Sequence, residues 1–276
     1  MSFSPVVPFG GYAGWAFLKR TMESQTRAFE ASSTLKNEEA YFREKIGTVK
    51  TAEDLVSDRR LLKVALGAFG LDADINNRFF IRKVLEEGTL DTKALANRLS
   101  DKAYRDLSST FGFGDLGIPA TQVSTFADKI IARYQDRQFE IAVGERSDSL
   151  RIALSAEREV PALAAKTGSD DTRWYTMMGS APMRKLFQTA FGLPSSFAAI
   201  DIDQQLGVFK AKAEQFFGSD SFSQFAEPEK LQTLLRRYLV LSDQGVSASS
   251  YGRAGAALQL LQAGNGGVSG ILSLLA

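Results

Sequence analysis

The chain has 276 residues, of which 44% are hydrophobic and 24% are charged, and its net charge is +1. These values are typical of a soluble globular protein, and the small net charge excludes strong electrostatic attraction to nucleic acid or to an acidic membrane. The sequence has no apolar run long enough to span a membrane. We also expect no cleaved signal peptide, because residues 1–15 lack a basic start followed by an apolar stretch.

Two residue types are absent from the sequence. The chain contains no Cys and no His, which removes disulfides, thiolate nucleophiles, thiolate metal sites and imidazole as a base or metal ligand. Ser-His-Asp and Cys-His catalysis are therefore impossible within this chain. Carboxylates, Lys, Tyr, Ser, Thr and Arg remain as catalytic candidates. We predict a non-enzymatic protein with no cofactor and no metal site.

The chain opens with residues 1–13, in which two Pro and a Gly pair predict a loose N-terminal arm. A helix follows, in which Trp15, Met22 and Phe29 recur every seven residues with Leu18 beside them. This narrow apolar stripe has two interpretations. Trp15, Leu18 and Met22 could form a seam that binds a partner, or the helix could lie on its own domain.

The first half of the protein is predicted to cover residues 14–118. Asn37 is positioned as a helix N-cap, Thr51 to Asp54 resembles a capping box, and Asp58 can cap the next helix. Asp72 or Asp74 opens another helix, and Asp91 and Asp101 are spaced as caps for two short ones. The helix after Asp72 has these predicted buried positions: Ile75, Phe79, Val84 and Leu85.

Residues 112–117 read Gly-Phe-Gly-Asp-Leu-Gly, which formally matches the G-x-G-x-x-G fingerprint of dinucleotide-binding loops. That fingerprint requires a strand immediately before it, whereas residues 102–111 have a helical pattern. The sequence therefore favours a glycine-containing loop between two helices.

Residues 119–168 are predicted to be connecting helices. Apolar side chains keep three- and four-residue spacing from about residue 120 to residue 143, and Ser147 or Asp148 can start the next helix. The predicted apolar face of the first of these helices includes Val123, Phe126, Ile130, Ile131, Tyr134 and Ile141.

One four-residue phrase occurs twice in the sequence. Ala-Phe-Gly-Leu stands at 68–71 and again at 190–193, each time after a similar helical run. Gly can adopt the left-handed conformation that ends a helix, and the apolar residue beside it packs back onto the last turn. We therefore predict an all-α, multi-helix array with two related halves, in which Phe69 and Phe191 are both buried.

The second half is predicted to cover residues 169–245. Ser169 and Ser180 are positioned as N-caps, and residues 197–217 are predicted to form one long helix. Four acids cluster here and could serve a carboxylate-dependent enzyme. Their positions favour helix capping instead, and residues two apart on a helix do not face each other. These acids are Asp170, Asp171, Asp201 and Asp203.

The C-terminal region, residues 246–276, is predicted to be a helix followed by an apolar tail. Residues 264–267 read Gly-Asn-Gly-Gly, a predicted hinge, and the tail has no charged side chain. Ile271, Leu272 and Leu275 have helical spacing, so we predict that they bind a partner. The partner is a second copy, giving a homo-oligomer, or a flagellar protein; packing into its own core is the alternative.

Four runs of the sequence form a recognisable set: DRRLL at 58–62, AFGL at 68–71, RKVLEEG at 82–88 and ANRLSDKAYR at 96–105. Together they resemble an alphaproteobacterial family of uncharacterised proteins encoded near flagellar genes. The resemblance covers most of the chain, best from about 50 to 240. It implies an all-helical fold and a flagellum-related role, and it supplies no catalytic residues to carry over.

Two functions follow as hypotheses. The first is a non-enzymatic flagellum-associated assembly or structural protein that acts through helical protein–protein contacts. The alternative is a soluble chaperone-like or regulatory module that binds a helical partner. We expect a cytoplasmic location or export through the flagellar apparatus, and no nucleic-acid partner.

Overall fold

The computed structural model describes residues 4–243. Twelve α-helices have both ends within this range: α1 (Gly11–Glu30), α2 (Ser33–Lys45), α3 (Ala52–Ser57), α4 (Arg59–Gly67), α5 (Arg78–Glu87), α6 (Leu95–Arg98), α7 (Ala103–Phe111), α8 (Phe126–Gly144), α9 (Asp148–Ala164), α10 (Asp170–Gly179), α11 (Ala181–Ala190) and α12 (Ile202–Phe217). A further helix, α13, covers 228–243.

Short 3₁₀ helices connect several of these elements. They are Ile46–Thr48, Asp72–Asn76, Ala120–Gln122, Ser195–Ala199 and Phe222–Ala226. Helix accounts for 75% of residues 4–243, and no strand occurs among them. The predicted all-α fold class is therefore confirmed.

Local hydrogen-bonding chemistry sets several of the helix starts. Thr51 and Asp54 form the predicted capping box, in which each side chain accepts a backbone N–H of the other residue. The Asp58 carboxylate accepts the N–H groups of Arg60 and Leu61 at the start of α4. Ser147 and Ser169 cap α9 and α10 in the same way, so these four predicted starts are confirmed.

Other predicted helix boundaries are wrong. The second helix begins at Ser33, four residues before the predicted cap Asn37. The predicted single helix over 197–217 is divided, because Asp201 accepts the N–H groups of Asp203 and Gln204 and so starts α12 there. Asp72 opens a 3₁₀ helix, and the α-helix begins only at Arg78.

The prediction that Phe79 is buried is also wrong, and two residues of the apolar face predicted for residues 120–143 are exposed. Phe79 is 71% exposed because the inward face of α5 is formed by Ile81, Val84 and Leu85. Val123 lies just after a 3₁₀ helix and is exposed, and Ile141 is exposed on α8.

Two hydrophobic cores organise the described residues. The first core is formed by side chains between Leu35 and Tyr134, and the second by Trp15, Leu18 and side chains between Phe139 and Leu239. Helix α8 contributes to both cores, since its first half packs into one and its second half into the other. Helix α4 packs on α8, α11 packs on α9, and α8 packs on α9. The connecting helices therefore form the wall that the two cores share.

The two copies of the repeated phrase end their helices with the same hydrogen bonds. Leu71 N donates to Leu66 O at 3.0 Å, and Leu193 N donates to Gln188 O at 2.9 Å. Gly70 and Gly192 have φ values of 73° and 68°, the left-handed conformation that this type of helix end requires. In each copy a five-residue 3₁₀ helix and then a longer α-helix follow. The predicted burial of Phe69 and Phe191 is confirmed.

The N-terminal arm is attached to α1. Val6 N donates to Gln25 Oε1 at 2.7 Å, and Gln25 Nε2 donates to Val6 O at 3.1 Å. Arg146 also reaches the Ser4 hydroxyl, at 3.3 Å. Within the described range, residues 4–10 therefore run back along α1 and are held there by side-chain hydrogen bonds.

Candidate functional site

A cleft of about 530 Å³ lies between the two cores; we call it the inter-core cleft. Its floor is formed by α8 and α9. One wall comes from the end of α4 and residues 100–106, and the opposite wall comes from residues 176–183. The cleft is therefore formed jointly by helices and loops from both halves of the chain.

A partly buried ion network, in which Glu140 is the buried member, occupies the floor of the inter-core cleft. Arg137 contacts Glu159 (Nη2–Oε1, 2.6 Å) and Glu140 (Nη1–Oε2, 3.3 Å). Arg158 Nη2 lies 2.8 Å from Glu140 Oε1, and Ser155 bridges Arg137 and Glu159. Burial raises the pKa of Glu140, although the two guanidinium groups oppose this shift. The network balances two cations with two anions and joins α8 to α9, so it holds the two helices of the cleft floor together.

Charged side chains of both signs line the rest of the inter-core cleft. Arg133 lies over the Phe69 ring, with its guanidinium carbon 5.1 Å from the ring centroid. Its neighbour one turn along α8, Asp136, is exposed. Within residues 4–243, neither of these residues forms an ion pair, and the same is true of four more residues that line the cleft: Lys102, Lys166, Asp101 and Asp106.

This set of charges defines what the inter-core cleft can bind. Small-molecule pockets of similar volume are mostly apolar, with a few polar groups that fix orientation. Here cations and anions face the same space, so a ligand of one sign would meet repulsion as well as attraction. The charges of the cleft therefore favour a ligand that itself carries both signs over a small anion or cation.

The predicted apolar seam on α1 lies inside the protein. Trp15 is 4% exposed and Leu18 is fully buried in the second core, while Met22 packs against the edge of that core. Helix α1 lies on α9, where Lys19 Nζ is 2.8 Å from Glu157 Oε2. This arrangement corresponds to the intramolecular alternative, because burial in the second core leaves Trp15 and Leu18 inaccessible to a partner.

The other predicted partner-binding residues are Ile271, Leu272 and Leu275. All three lie outside the described residues.

The acids considered for carboxylate catalysis have structural partners. Asp170 accepts hydrogen bonds from Trp174 Nε1, the Ser221 hydroxyl and the Phe222 backbone N–H. Asp171 pairs with Lys210 at 2.9 Å.

The remaining two of these acids lie around the start of α12. Asp201 caps this helix, and Asp203 accepts a hydrogen bond from the Tyr175 hydroxyl. Neither pair of acids lines the inter-core cleft.

The glycine-rich run at 112–117 is the predicted loop between helices. It follows α7, and Asp115 within it accepts hydrogen bonds from the backbone N–H groups of Thr89 and Leu90 and from the Thr89 hydroxyl. Burial would raise the pKa of Asp115, but these hydrogen bonds lower it. The run therefore joins the α7–α8 connection to the α5–α6 connection.

Sequence reasoning missed the charged residues of the inter-core cleft. A signal for them was present on α8, where Arg133, Asp136, Arg137 and Glu140 follow three- and four-residue spacing. This spacing places the four charges on one helical face, which adjoins the predicted apolar face. The opposing walls come from distant parts of the chain and have no such local pattern.

No helix among the described residues combines the length and the apolarity needed to cross a membrane. Over the same part of the chain, no group of three or more Asp and Glu side chains is arranged to hold a metal ion.

Comparison with known proteins places the chain in a family. A search of curated proteins gave no match. A solved structure from Agrobacterium tumefaciens, a Northeast Structural Genomics Consortium target determined by X-ray crystallography, is similar to this chain with a TM-score of 0.71 and 27% identity. The match covers 87% of this chain and 98% of that one. The family described as "Protein of unknown function (DUF1217)" matches residues 68–231. Because this match covers more than half of the chain, the protein belongs to the DUF1217 family.

Proposed function

We propose that this protein is a non-enzymatic assembly or structural protein of the bacterial flagellum that acts through helical protein–protein contacts. The flagellar part of the proposal rests on the family resemblance carried by the runs at 58–62, 68–71, 82–88 and 96–105. The binding part of the proposal rests on the inter-core cleft. Its lining includes charged side chains of both signs that form no ion pair within residues 4–243. The proposed location is the cytoplasm, and export through the flagellar apparatus is the alternative.

The proposed ligand of the cleft is a helical segment of another protein. A surface helix commonly carries acids and bases three or four residues apart. Such a face complements a cleft whose lining includes two bases, Arg133 and Lys166, and two acids, Asp106 and Asp136. Exposed ion pairs contribute little to affinity each, roughly 0.2–1 kcal/mol. They do select the partner and its orientation, because like charges in contact are repelled.

The alternative function is a chaperone-like or regulatory module for a helical partner. It is favoured by aliphatic side chains on the loops that Asp115 joins. Leu90 is 77% exposed, and Ile118 is 73% exposed. Leu90 and Ile118 lie on two loops that hydrogen bonds to Asp115 hold together, and clusters of exposed apolar side chains are typical of protein-binding surfaces.

We also infer that the two halves arose by internal duplication. The same order of elements supports this inference: α3 and α4 precede a 3₁₀ helix and α5, as α10 and α11 precede a 3₁₀ helix and α12. The helix ends at Gly70 and Gly192 also form equivalent hydrogen bonds.

A gene deletion with complementation tests the flagellar proposal. Deletion should impair swimming or filament assembly, and the wild-type gene should restore it. A gene encoding Arg133→Glu together with Lys166→Glu should restore it poorly. The matched control is Arg78→Glu, because Arg78 is also exposed and forms no ion pair within the described range, but lies outside the cleft.

Two outcomes would count against this proposal. A deletion strain that swims and assembles normal filaments would remove the flagellar role. Recovery of one stoichiometric partner from cytosol, and of none from purified basal bodies, would favour the chaperone-like alternative.

A further inference from the structure

The start of α1 and the last described helix, α13, meet at one end of the second core. The guanidinium carbon of Arg236 lies 5.3 Å from the centroid of the Tyr12 ring. Val240 follows Arg236 by one helical turn, so it lies on the same face of α13. Phe9, Tyr12 and Val240 are 60%, 43% and 40% exposed, respectively. We call these three residues the terminal patch.

The described part of the chain ends beside the terminal patch. A methyl group placed on Gly11 would lie 2.9 Å from Asp243 Cγ, so the Asp243 side chain touches the start of α1. Asp243 is also the last described residue, three positions after Val240. The 33 residues that follow in the sequence therefore leave from a point next to exposed aromatic and aliphatic side chains.

The sequence beyond this point contains one segment of matching chemistry. Residues 268–276 have no charged side chain. They include these aliphatic residues: Val268, Ile271, Leu272, Leu274 and Leu275. Removing such side chains from water is favourable, by about 25 cal/mol per Å² of apolar surface. The terminal patch offers apolar surface of the same kind close to where the chain continues.

We propose that residues 268–276 bind the terminal patch of their own chain. Twenty-four residues separate Asp243 from this segment, which is ample length for the chain to return to Val240. A tethered segment meets its site at an effective concentration of about the millimolar range. At micromolar protein concentration this favours the segment's own chain over a second copy. Docking would cover Phe9 and Tyr12 and would hold the N-terminal arm and α13 together.

Disulfide trapping tests this proposal cleanly because the chain has no Cys. Val240→Cys combined with Leu272→Cys introduces the only two thiols. Under mild oxidation we expect an intramolecular disulfide, seen as a monomer of altered mobility on a non-reducing gel. Its yield should not change over a dilution series. The matched control pair is Val123→Cys with Leu272→Cys, since Val123 is also an exposed valine but lies near the first core.

A third substitution checks that the trapped species reports binding. Phe9→Asp, added to the Val240→Cys and Leu272→Cys pair, should lower the disulfide yield several-fold, and exposure of Phe9 makes it compatible with folding. Equal yields for the test and control pairs would overturn the proposal, as would absence of the intramolecular product. A disulfide-linked dimer whose yield rises with protein concentration would assign the patch to the tail of a second copy.

Discussion

Truncation of the two repeated phenylalanines measures whether the two cores unfold together. Phe69 and Phe191 are similarly buried, at 5% and 3% exposure. Replacement of a buried Phe by Ala costs about 3–5 kcal/mol. For a protein of this size, that loss corresponds to a melting temperature lower by about 6–20 °C.

The two rings have different surroundings, so we expect the two Ala variants to lose different amounts of stability. Phe69 contacts one ring, Phe111 at 6.5 Å between centroids, and is covered by Arg133 at the edge of the inter-core cleft. Phe191 lies among four rings, and aromatic pairs add about 0.5–1.5 kcal/mol each beyond their buried area. We therefore expect Phe191→Ala to fall at the upper end of the range and Phe69→Ala at the lower end. The rings around Phe191 are Phe187, Phe209, Phe216 and Phe217.

The two tryptophans provide an assay for the second core alone. Trp15 and Trp174 both belong to it, so their fluorescence follows the second core during urea unfolding, while far-ultraviolet circular dichroism follows all helices. Since α8 enters both cores without interruption, we expect the two signals to shift together in both variants. Phe79→Ala is the control, because Phe79 is largely exposed and its loss should leave the midpoint unchanged.

The reasoning fails if Phe69→Ala moves the circular dichroism midpoint and leaves the fluorescence midpoint where it was. That result would mean that the first core unfolds alone and that α8 does not couple the two cores.

Two further predictions concern backbone conformation and pH. Gly192→Ala should lower the free energy of unfolding by about 1–2 kcal/mol, because the φ of 68° at this position is unfavourable for Ala. Gly207→Ala should raise the free energy of unfolding by about 0.5–1 kcal/mol, because Gly207 is inside α12 with open space around it. Thermal melting of both variants checks these signs. Although burial works against the shift, hydrogen bonds from Tyr41 and from the start of α4 lower the pKa of Asp58 below its ordinary value of 3.8. A lowered pKa stabilises the fold above 3.8, and this contribution is lost as the pH falls through the folded-state pKa. The wild type should therefore melt above Asp58→Asn at neutral pH, and the two should converge in acid; a difference that persists in acid would contradict this prediction.

Features set by neighbouring residues could be predicted from the sequence. The caps at Thr51, Asp58, Ser147 and Ser169 depend on a side chain and a backbone N–H two or three residues away. The glycine-rich run at 112–117 was correctly interpreted because the preceding residues have a helical pattern.

Features set by tertiary packing could not be predicted in this way. Phe79 fits the apolar spacing of α5, but the helix turns this ring to solvent and places Ile81 and Val84 inside. The inter-core cleft is formed by segments that are more than a hundred residues apart in the chain, such as residues 68–72 and 176–183. No pattern within one helix contains the information that these segments face each other.

The path of α8 through both cores also determines which pieces of this chain can fold alone. The stretch shared with the DUF1217 family begins at residue 68, immediately after α4 ends. A fragment cut at that boundary would keep Ile130 and Tyr134 but lose the helix that packs on them. Its bare apolar face would promote aggregation in water. The segment recognised by sequence similarity is therefore smaller than the unit that folds, and selection for folding acts on that larger unit.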